Sequence, residues 1–189
     1  MTLTLSDTIT DEELLRLLSD ARTFERGFGM LVAQYQEPLY AQIRRMVHAH
    51  ADADDVLQNT FVKVYRSIGK FKGDSKLFTW LYRIATNESL TYLSKQKRRR
   101  SVPLEGDELQ LANRLAADSY FSGDEVQRKL QLALDTLPDK QRAVFNARYF
   151  DALPYSEISK VMSTSVGALK ASYHHAVKKI ETYFTQHPD

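Results

Sequence analysis

The chain has 189 residues, with 26 Lys and Arg against 24 Asp and Glu, and 43% of its residues are hydrophobic. That length accommodates one or two domains, and the proportions are those of a folded chain rather than a disordered one. There is no cysteine, which excludes disulfides, thiolate nucleophiles and cysteine zinc sites and accords with a reducing compartment.

No apolar run is long enough to span a bilayer. The N-terminus, MTLTLSDTITDEELL, is acidic and lacks the basic start of a secretory signal. A cytoplasmic, soluble chain with no membrane insertion is therefore expected. Seven glycines, five prolines and little two-residue alternation favour an all-α fold. The net charge of +2 hides opposing blocks. Gly73 to Arg100 holds seven basic residues against two acidic ones, whereas Ser101 to Asp124 holds one basic residue against five acidic ones.

Residues 1–9 are expected to fray. Thr10 and Glu13 form a capping box that starts a short amphipathic helix carrying Leu14, Leu15, Leu17 and Leu18. Phe24, Phe28, Leu31 and Tyr35 recur at helical spacing, and Pro38 kinks or restarts the helix before Leu39, Ile43 and Val47. His48 and His50 are two apart, do not share a helical face, and are expected to be exposed loop residues rather than a metal pair.

In the stretch from Asp52 to Phe71, Asp52 and Asp54 suit an N-cap and a first turn. Ala53, Val56, Leu57, Thr60, Phe61, Val64 and Ile68 make a buried face; Asp55, Asn59, Val62 and Arg66 fall on the opposite one. An apolar Val62 within a polar strip suggests a contact surface, although single exposed valines are common. Asp52, Asp54 and Asp55 could in principle hold a divalent ion, but no glycine-rich phosphate loop accompanies them.

A polar turn then leads into a long apolar helix with a cationic end. Leu77, Leu81, Ile84, Glu88 and Tyr92 share one face, and Thr79, Arg83 and Asn87 form an outward strip. Phe78, Trp80, Tyr82, Leu90 and Leu93 fill other directions, so other helices should wrap this one. Its tail, Lys95, Lys97, Arg98, Arg99 and Arg100, suits a phosphate backbone.

Residues 101–123 read as a flexible acidic linker, with a short helix near Leu109 to Leu115. From Asp124 a second helical unit begins, with Val126, Leu130, Leu134 and Leu137 on one face and Pro138 in the first turn of the next helix. That next helix carries Val144, Ala147 and Arg148 and closes at Tyr149 and Phe150. A short helix from Tyr155 to Met162, a turn at Ser163 to Ser165, and a long helix from Val166 to about Phe184 form a helix-turn-helix pattern. Ser165 is the N-cap of the long helix; Val166, Leu169, Tyr173, Ala176 and Ile180 make its core face. Its other face carries Gly167, Lys170, Ala171, His174, His175 and Lys178, and no acid occurs from Val166 to Ile180.

Three of these motifs carry a family resemblance. Phe78-x-Thr-Trp-Leu-Tyr-Arg-Ile-Ala-x-Asn87 with its basic tail resembles the promoter-melting region of extracytoplasmic-function (group IV) sigma factors of the sigma-70 family. Asp52-Ala-Asp-Asp-Val-x-Gln-x-x-Phe-x-x-Val-Tyr65 is similar to the core-polymerase-binding helix of sigma domain 2. Leu137-Pro-x-x-x-Arg-x-Val-Phe145, Leu153-Pro-Tyr-Ser-Glu-Ile-Ser-x-Val-Met162 and Val166-Gly-Ala-Leu-Lys-Ala-Ser172 look like sigma domain 4. The motifs stand in family order over roughly residues 24–184.

The resemblance implies two small helical domains joined by the linker: residues 1–100 binding core polymerase and melting the −10 element, and 124–189 reading the −35 element. It implies core RNA polymerase and promoter DNA as partners, no cofactor, and no enzymatic activity of its own; an anti-sigma factor is left open as a further partner. By carry-over, core polymerase would meet Asp54, Asp55, Gln58, Asn59, Val62 and Arg66. The −10 element would meet Lys72, Asp74, Ser75, Lys76, Thr79, Arg83, Asn87, Lys95, Lys97, Arg98 and Arg99. The −35 element would meet Lys170, Ala171, Ser172, His174, His175 and Lys178.

The last helix departs from the family pattern. Ala168-Leu169 stands where Thr-Val is common, Ala171-Ser172 where Ser-Arg is common, and His175 where Arg is common. An arginine able to pair with guanine through two hydrogen bonds is thus missing, which leaves the −35 base preference open. Two other classes compete with the sigma reading: a helix-turn-helix regulator acting without polymerase, and a hydrolytic or phosphoryl-transfer enzyme built on the aspartate cluster.

Overall fold

The computed structural model describes residues 9–99 and 125–187, and all regular structure among them is helical. The order is α1 (Asp11–Ser19), α2 (Phe24–Val47), α3 (His50–Ser67), a single 3-10 turn (Ile68–Lys70), α4 (Leu77–Arg99), α5 (Glu125–Asp135), α6 (Asp139–Tyr149), α7 (Tyr155–Met162) and α8 (Val166–Gln186). Arg100, the linker at 101–123 and its short helix near Leu109 lie outside the described residues, as do residues 1–8.

Two of the helices begin at a side-chain cap. Thr10 caps α1: its hydroxyl accepts from the Glu13 amide, and the Glu13 carboxylate accepts from the Thr10 amide. Ser165 caps α8 by accepting from the Ala168 amide at 3.3 Å. Gly27 lets α1 approach α2, since a Cβ there would stand 2.8 Å from the Leu17 Cβ. Helix α2 runs unbroken through Pro38 rather than restarting.

The first domain packs α1, α2, α3 and α4 around Leu14, Leu31, Leu39, Ile43, Ala53, Val64 and Leu81, each withdrawn from water. The second packs α5, α6 and α8 through Leu134, Leu137, Phe145 and Ala176. A further apolar cluster joins the two. Tyr82 of α4 lies with Val144, Ala147, Leu153, Ile158, Val161 and Leu169 of the second domain, while Ala143 of α6 belongs to the core of the first. The many-sided apolarity of α4 is thereby explained: its remaining face is covered by the helix-turn-helix domain.

Several expectations are corrected. His48 is not an exposed loop residue; it ends α2 at a φ of 63° and its Nε2 lies 2.7 Å from Asp135. His50 opens α3, and Ala49, not Asp52 or Asp54, is the capping residue, with no side-chain bond. Asp52 falls in the first turn, and Asp54 pairs with His50 one turn back, at 3.6 Å. Pro138 is the N-cap of α6 rather than part of its first turn. Val126 and Val166, expected on core faces, are 57% and 38% exposed. Both stand at the first turn of a helix, where there is least neighbouring structure to cover a side chain.

Candidate functional site

Three surfaces carry the residues singled out by sequence. The first is the outward face of α3. Asp54, Asp55, Gln58, Asn59, Val62 and Arg66 all face solvent, and Val62 is 42% exposed. Tyr65, which ends the Asp52-to-Tyr65 motif but is not among the expected contacts, is 43% exposed beside them. Its ring meets Phe24 and Phe28 of α2 edge-on, at 5.1 and 5.0 Å, and its hydroxyl donates to Glu25 at 2.8 Å. A rigid aromatic thus extends the apolar spot at Val62 towards α2. Its signal in sequence was the Phe24, Phe28 pair one helical turn apart, which needs a ring to cover it.

The second surface runs along α4 and the turn before it. That turn bends at Gly73, whose φ of 76° suits a residue without a Cβ. Lys72, Asp74 and Lys76 are exposed there and Ser75 is half-buried. Along α4, Asn87, Lys95, Lys97, Arg98 and Arg99 are exposed and Arg83 is half-buried. A shallow groove lined by Asn87, Leu90, Thr91, Ser94, Lys95 and Arg98 follows the helix towards its basic end. Thr79 is the exception to the outward strip: it is 2% exposed. The spacing rightly places it in line with Arg83 and Asn87, but α7 packs on the start of α4 and covers it.

The second domain meets α4 with acidic side chains at both of its ends. Thr79 stands beside the Glu157 carboxylate of α7, whose pKa is held below its ordinary range chiefly by the Thr79 hydroxyl, and further by Lys160 and Lys76. Lys97 donates to both oxygens of Asp139 on α6, at 2.8 Å each. Between them lies Asp151, which takes a bond from Tyr82 at 2.8 Å and one from Arg45 of α2 at 2.5 Å. The turn after α6 aims Asp151: Ala152 adopts a φ of 51°, and the Leu153 amide closes onto the Ala147 carbonyl at 3.0 Å. Burial, and then the Asp151 charge, push the Tyr82 hydroxyl well above the ordinary tyrosine pKa, so it stays a donor.

Arg142 fastens the far end of the same junction. It is 3% exposed and donates to the Met46 carbonyl of α2 at 2.9 Å, and it pairs with Asp135. Burial works to raise the Asp135 pKa, but His48 and Arg142 outweigh it and hold the carboxyl below its usual range. The sequence did carry a signal for Arg142. It is the arginine of the Leu137-to-Phe145 motif, placed directly before the apolar Ala143, Val144 and Phe145, where the helix turns towards a core and a charge needs a buried partner. Arg45, Asp151 and Glu157 had no comparable signal, because their partners come from the other domain.

The third surface is the outer face of α8. The preceding turn reverses at Ser163, with a φ of 50°. Lys170, Ala171, His174, His175 and Lys178 are exposed, and Ser172 is half-buried with its carbonyl accepting from Gln141 at 3.3 Å. The Lys170 ammonium lies 5.9 Å from the centre of the Tyr155 ring, which biases it towards α7. Helices α7 and α8 thus present the geometry of a helix-turn-helix with a cationic outer face.

Comparison with known proteins agrees with this geometry. Residues 31–99 match the family model for Sigma-70 region 2, and residues 127–180 match that for Sigma-70, region 4. The chain is 32% identical over 180 residues to the RNA polymerase sigma-H factor of Pseudomonas aeruginosa, covering 90% of this chain and 92% of that protein. It is 29% identical over 192 residues to the ECF RNA polymerase sigma-E factor of Escherichia coli K12, covering 94% and 95%. Among solved structures, CnrH in complex with the cytosolic domain of CnrY superposes with a TM-score of 0.67 at 24% identity, covering 94% of this chain and 99% of that one. The sigma factor RpoE in complex with the anti-sigma factor NepR, from Bartonella quintana, gives 0.65 at 18%, covering 84% and 96%. With the sigma-H relative matched over nearly its whole length and the two regions in order, the chain belongs to the extracytoplasmic-function group of the sigma-70 family, the alternative sigma factors that direct transcription initiation.

Proposed function

We propose that the chain docks on core RNA polymerase through the α3 face, melts promoters at their −10 element through α4, and reads the −35 element through α8. In this division residues 1–100 form the polymerase-binding and melting domain, 101–123 the linker and 124–189 the −35 domain. The observation that carries the reading is the exposed strip on α3. Val62 and Tyr65 stand in water amid Asp54, Asp55, Gln58 and Asn59, far along the chain from the helix-turn-helix. A regulator that bound DNA alone would have no use for an apolar spot there.

Each contact has a physical reason. Asp55, Gln58, Asn59 and Arg66 supply hydrogen bonds and charge around the apolar Val62, as in a protein interface with a polar rim. Unpaired bases expose flat faces and free edges, which the turn at Lys72 to Lys76 and the strip of Arg83 and Asn87 are suited to hold. Lys95, Lys97, Arg98 and Arg99 grip phosphates without reading sequence. On α8, Lys170 and Lys178 hold the backbone of the duplex, and Ala171, Ser172, His174 and His175 face the groove.

The chain is a binding factor in this scheme; the polymerase performs the chemistry, in the cytoplasm. The aspartates of α3 serve docking, and Asp54 is already paired with His50. Since two structures of the same fold are complexes with CnrY and with an anti-sigma factor, an anti-sigma protein is proposed as a further partner here. The test is in-vitro transcription with core polymerase on genomic promoter fragments. Specific transcripts that appear only when the chain is added support the reading; tight sequence-specific footprints by the chain alone, with no effect on polymerase, would favour the regulator instead.

A further inference from the structure

The groups on the outer face of α8 restrict which base edges it can read. A recognition helix touches bases with its N-terminal turns. From Val166 to Thr185 there is no arginine to pair with guanine and no asparagine or glutamine to pair with adenine, and from Val166 to Ile180 no acid to accept from cytosine. The lysines are placed for other work. The Lys170 ammonium lies 5.9 Å from the centre of the Tyr155 ring on α7, and Lys178 stands about three turns into the helix. What the first two turns do expose is apolar. Val166 is 38% exposed, Ala168 and Ala171 face solvent, and the Ser165 hydroxyl is engaged with the Ala168 amide. Gly167 lies among them, and a Cβ there would meet nothing within 4 Å. Glycine costs a helix stability relative to alanine. No neighbour within the protein requires it here, so the gap suits a surface that approaches from outside.

We propose that α8 defines its −35 element by thymine. Ala171, flanked by Val166 and Ala168, packs against thymine 5-methyl groups in the major groove, and Gly167 lets the helix backbone come close enough for these short side chains to reach them. The inference rests on the assignment of α8 to the −35 element. The thymine methyl is the apolar group that base edges present in the major groove, and alanine is among the side chains that meet it. Lys170 and Lys178 hold phosphates and carry no sequence information. His174 and His175 stand next along the exposed face. A neutral imidazole offers one donor and one acceptor, which exchange places with the tautomer. These rings therefore fit polar edges of both kinds and do not restore a choice of guanine.

The test uses holoenzyme assembled from the full chain and core polymerase, selecting duplexes from a pool randomised across the −35 region. The enriched sequences should share thymines and require no guanine. Each shared thymine is then replaced by deoxyuridine, which removes the methyl group and keeps the base pair. At least one replacement should weaken closed-complex binding roughly fourfold, as for one apolar carbon left in water. Ala171→Gly should bind the thymine and uracil duplexes alike at that position, and Val166→Ser should do so at a neighbouring one. Both residues are exposed, so both variants should melt like the unaltered chain. Enriched guanines with no uracil penalty would overturn the methyl reading and leave −35 docking standing. A uracil penalty that survives both substitutions would also overturn it, since the methyl would then act through the shape of the DNA and not through α8. A pool from which nothing is enriched would remove the −35 assignment itself, and the inference with it.

Discussion

Two polar strips, one on α3 and one on α4, begin from the same kind of sequence evidence and end in opposite surroundings. Each is a set of residues three or four apart on a long helix, opposite a mainly apolar face. On α3, Asp55, Asn59, Val62 and Arg66 all reach water. On α4, Asn87 reaches water, Arg83 does so in part, and Thr79 is sealed under α7. Helical period decides which side chains share a face. It is silent on whether a second domain, more than fifty residues further along the chain, settles on that face. In the proposed division the open strip on α3 is the polymerase-docking surface, and the strip on α4, of which only Thr79 is buried, is the melting surface.

That contrast gives unequal consequences for substitution. The largest is expected at the covered face. Tyr82→Ala empties a site shared with Val144, Ile158 and Leu169 and removes one of two partners of Asp151, leaving Arg45, and should cost about 3–5 kcal/mol. A thermal melt would detect it; a loss below about 1 kcal/mol would mean that the domain contact contributes little. At the open face, Asp55→Ala combined with Val62→Asp should leave the melt within about 0.5 kcal/mol per site while weakening core-polymerase binding at least roughly tenfold. Unchanged affinity would remove α3 as the docking surface.

Smaller effects come from the charged groups. Lys170→Ala and Lys178→Ala should each make the salt dependence of duplex binding by the holoenzyme shallower by about one unit of slope, as expected for one lost phosphate contact. Unaltered slopes would place α8 away from the backbone. Acid should loosen the domain junction through Asp135, whose pKa is lowered in the folded chain. A depressed carboxylate stabilises fully above its unfolded pKa of about 3.9 and loses that contribution as the pH falls through the lower folded value. Asp135→Asn should therefore flatten the acid limb of the stability profile below about pH 4. A profile that keeps its slope there would remove Asp135 as the titrating group.

Much of the fold was legible in the sequence because its signals are local. The capping box at Thr10 and Glu13, the turn and cap at Ser163 to Ser165, and the boundaries of α7 each depend on a few adjacent residues. The outward face of α3 and the cationic face of α8 were legible for the same reason. What stayed hidden is what depends on the other domain. Nothing adjacent to Asp139, Asp151 or Glu157 in the sequence marks them as partners of α4 and α2. His48 read as a loop residue because neither Asp135 nor Arg142 is near it in sequence. Tyr82 was recognised as one of too many apolar groups on α4, but not as the residue around which the second domain closes.

The central claim is that α4 melts the promoter, with α8 providing the initial hold on duplex DNA. Permanganate reactivity of −10 thymines, measured beside closed-complex affinity for holoenzyme carrying Asn87→Ala or Arg83→Ala, tests it most directly. Losing even one contact to an unpaired base can tilt the opening step, because unstacking costs a few kcal/mol per base. Closed-complex affinity should be kept and permanganate reactivity should fall. Loss of closed-complex binding with Asn87→Ala, or full permanganate reactivity in both variants, would contradict it.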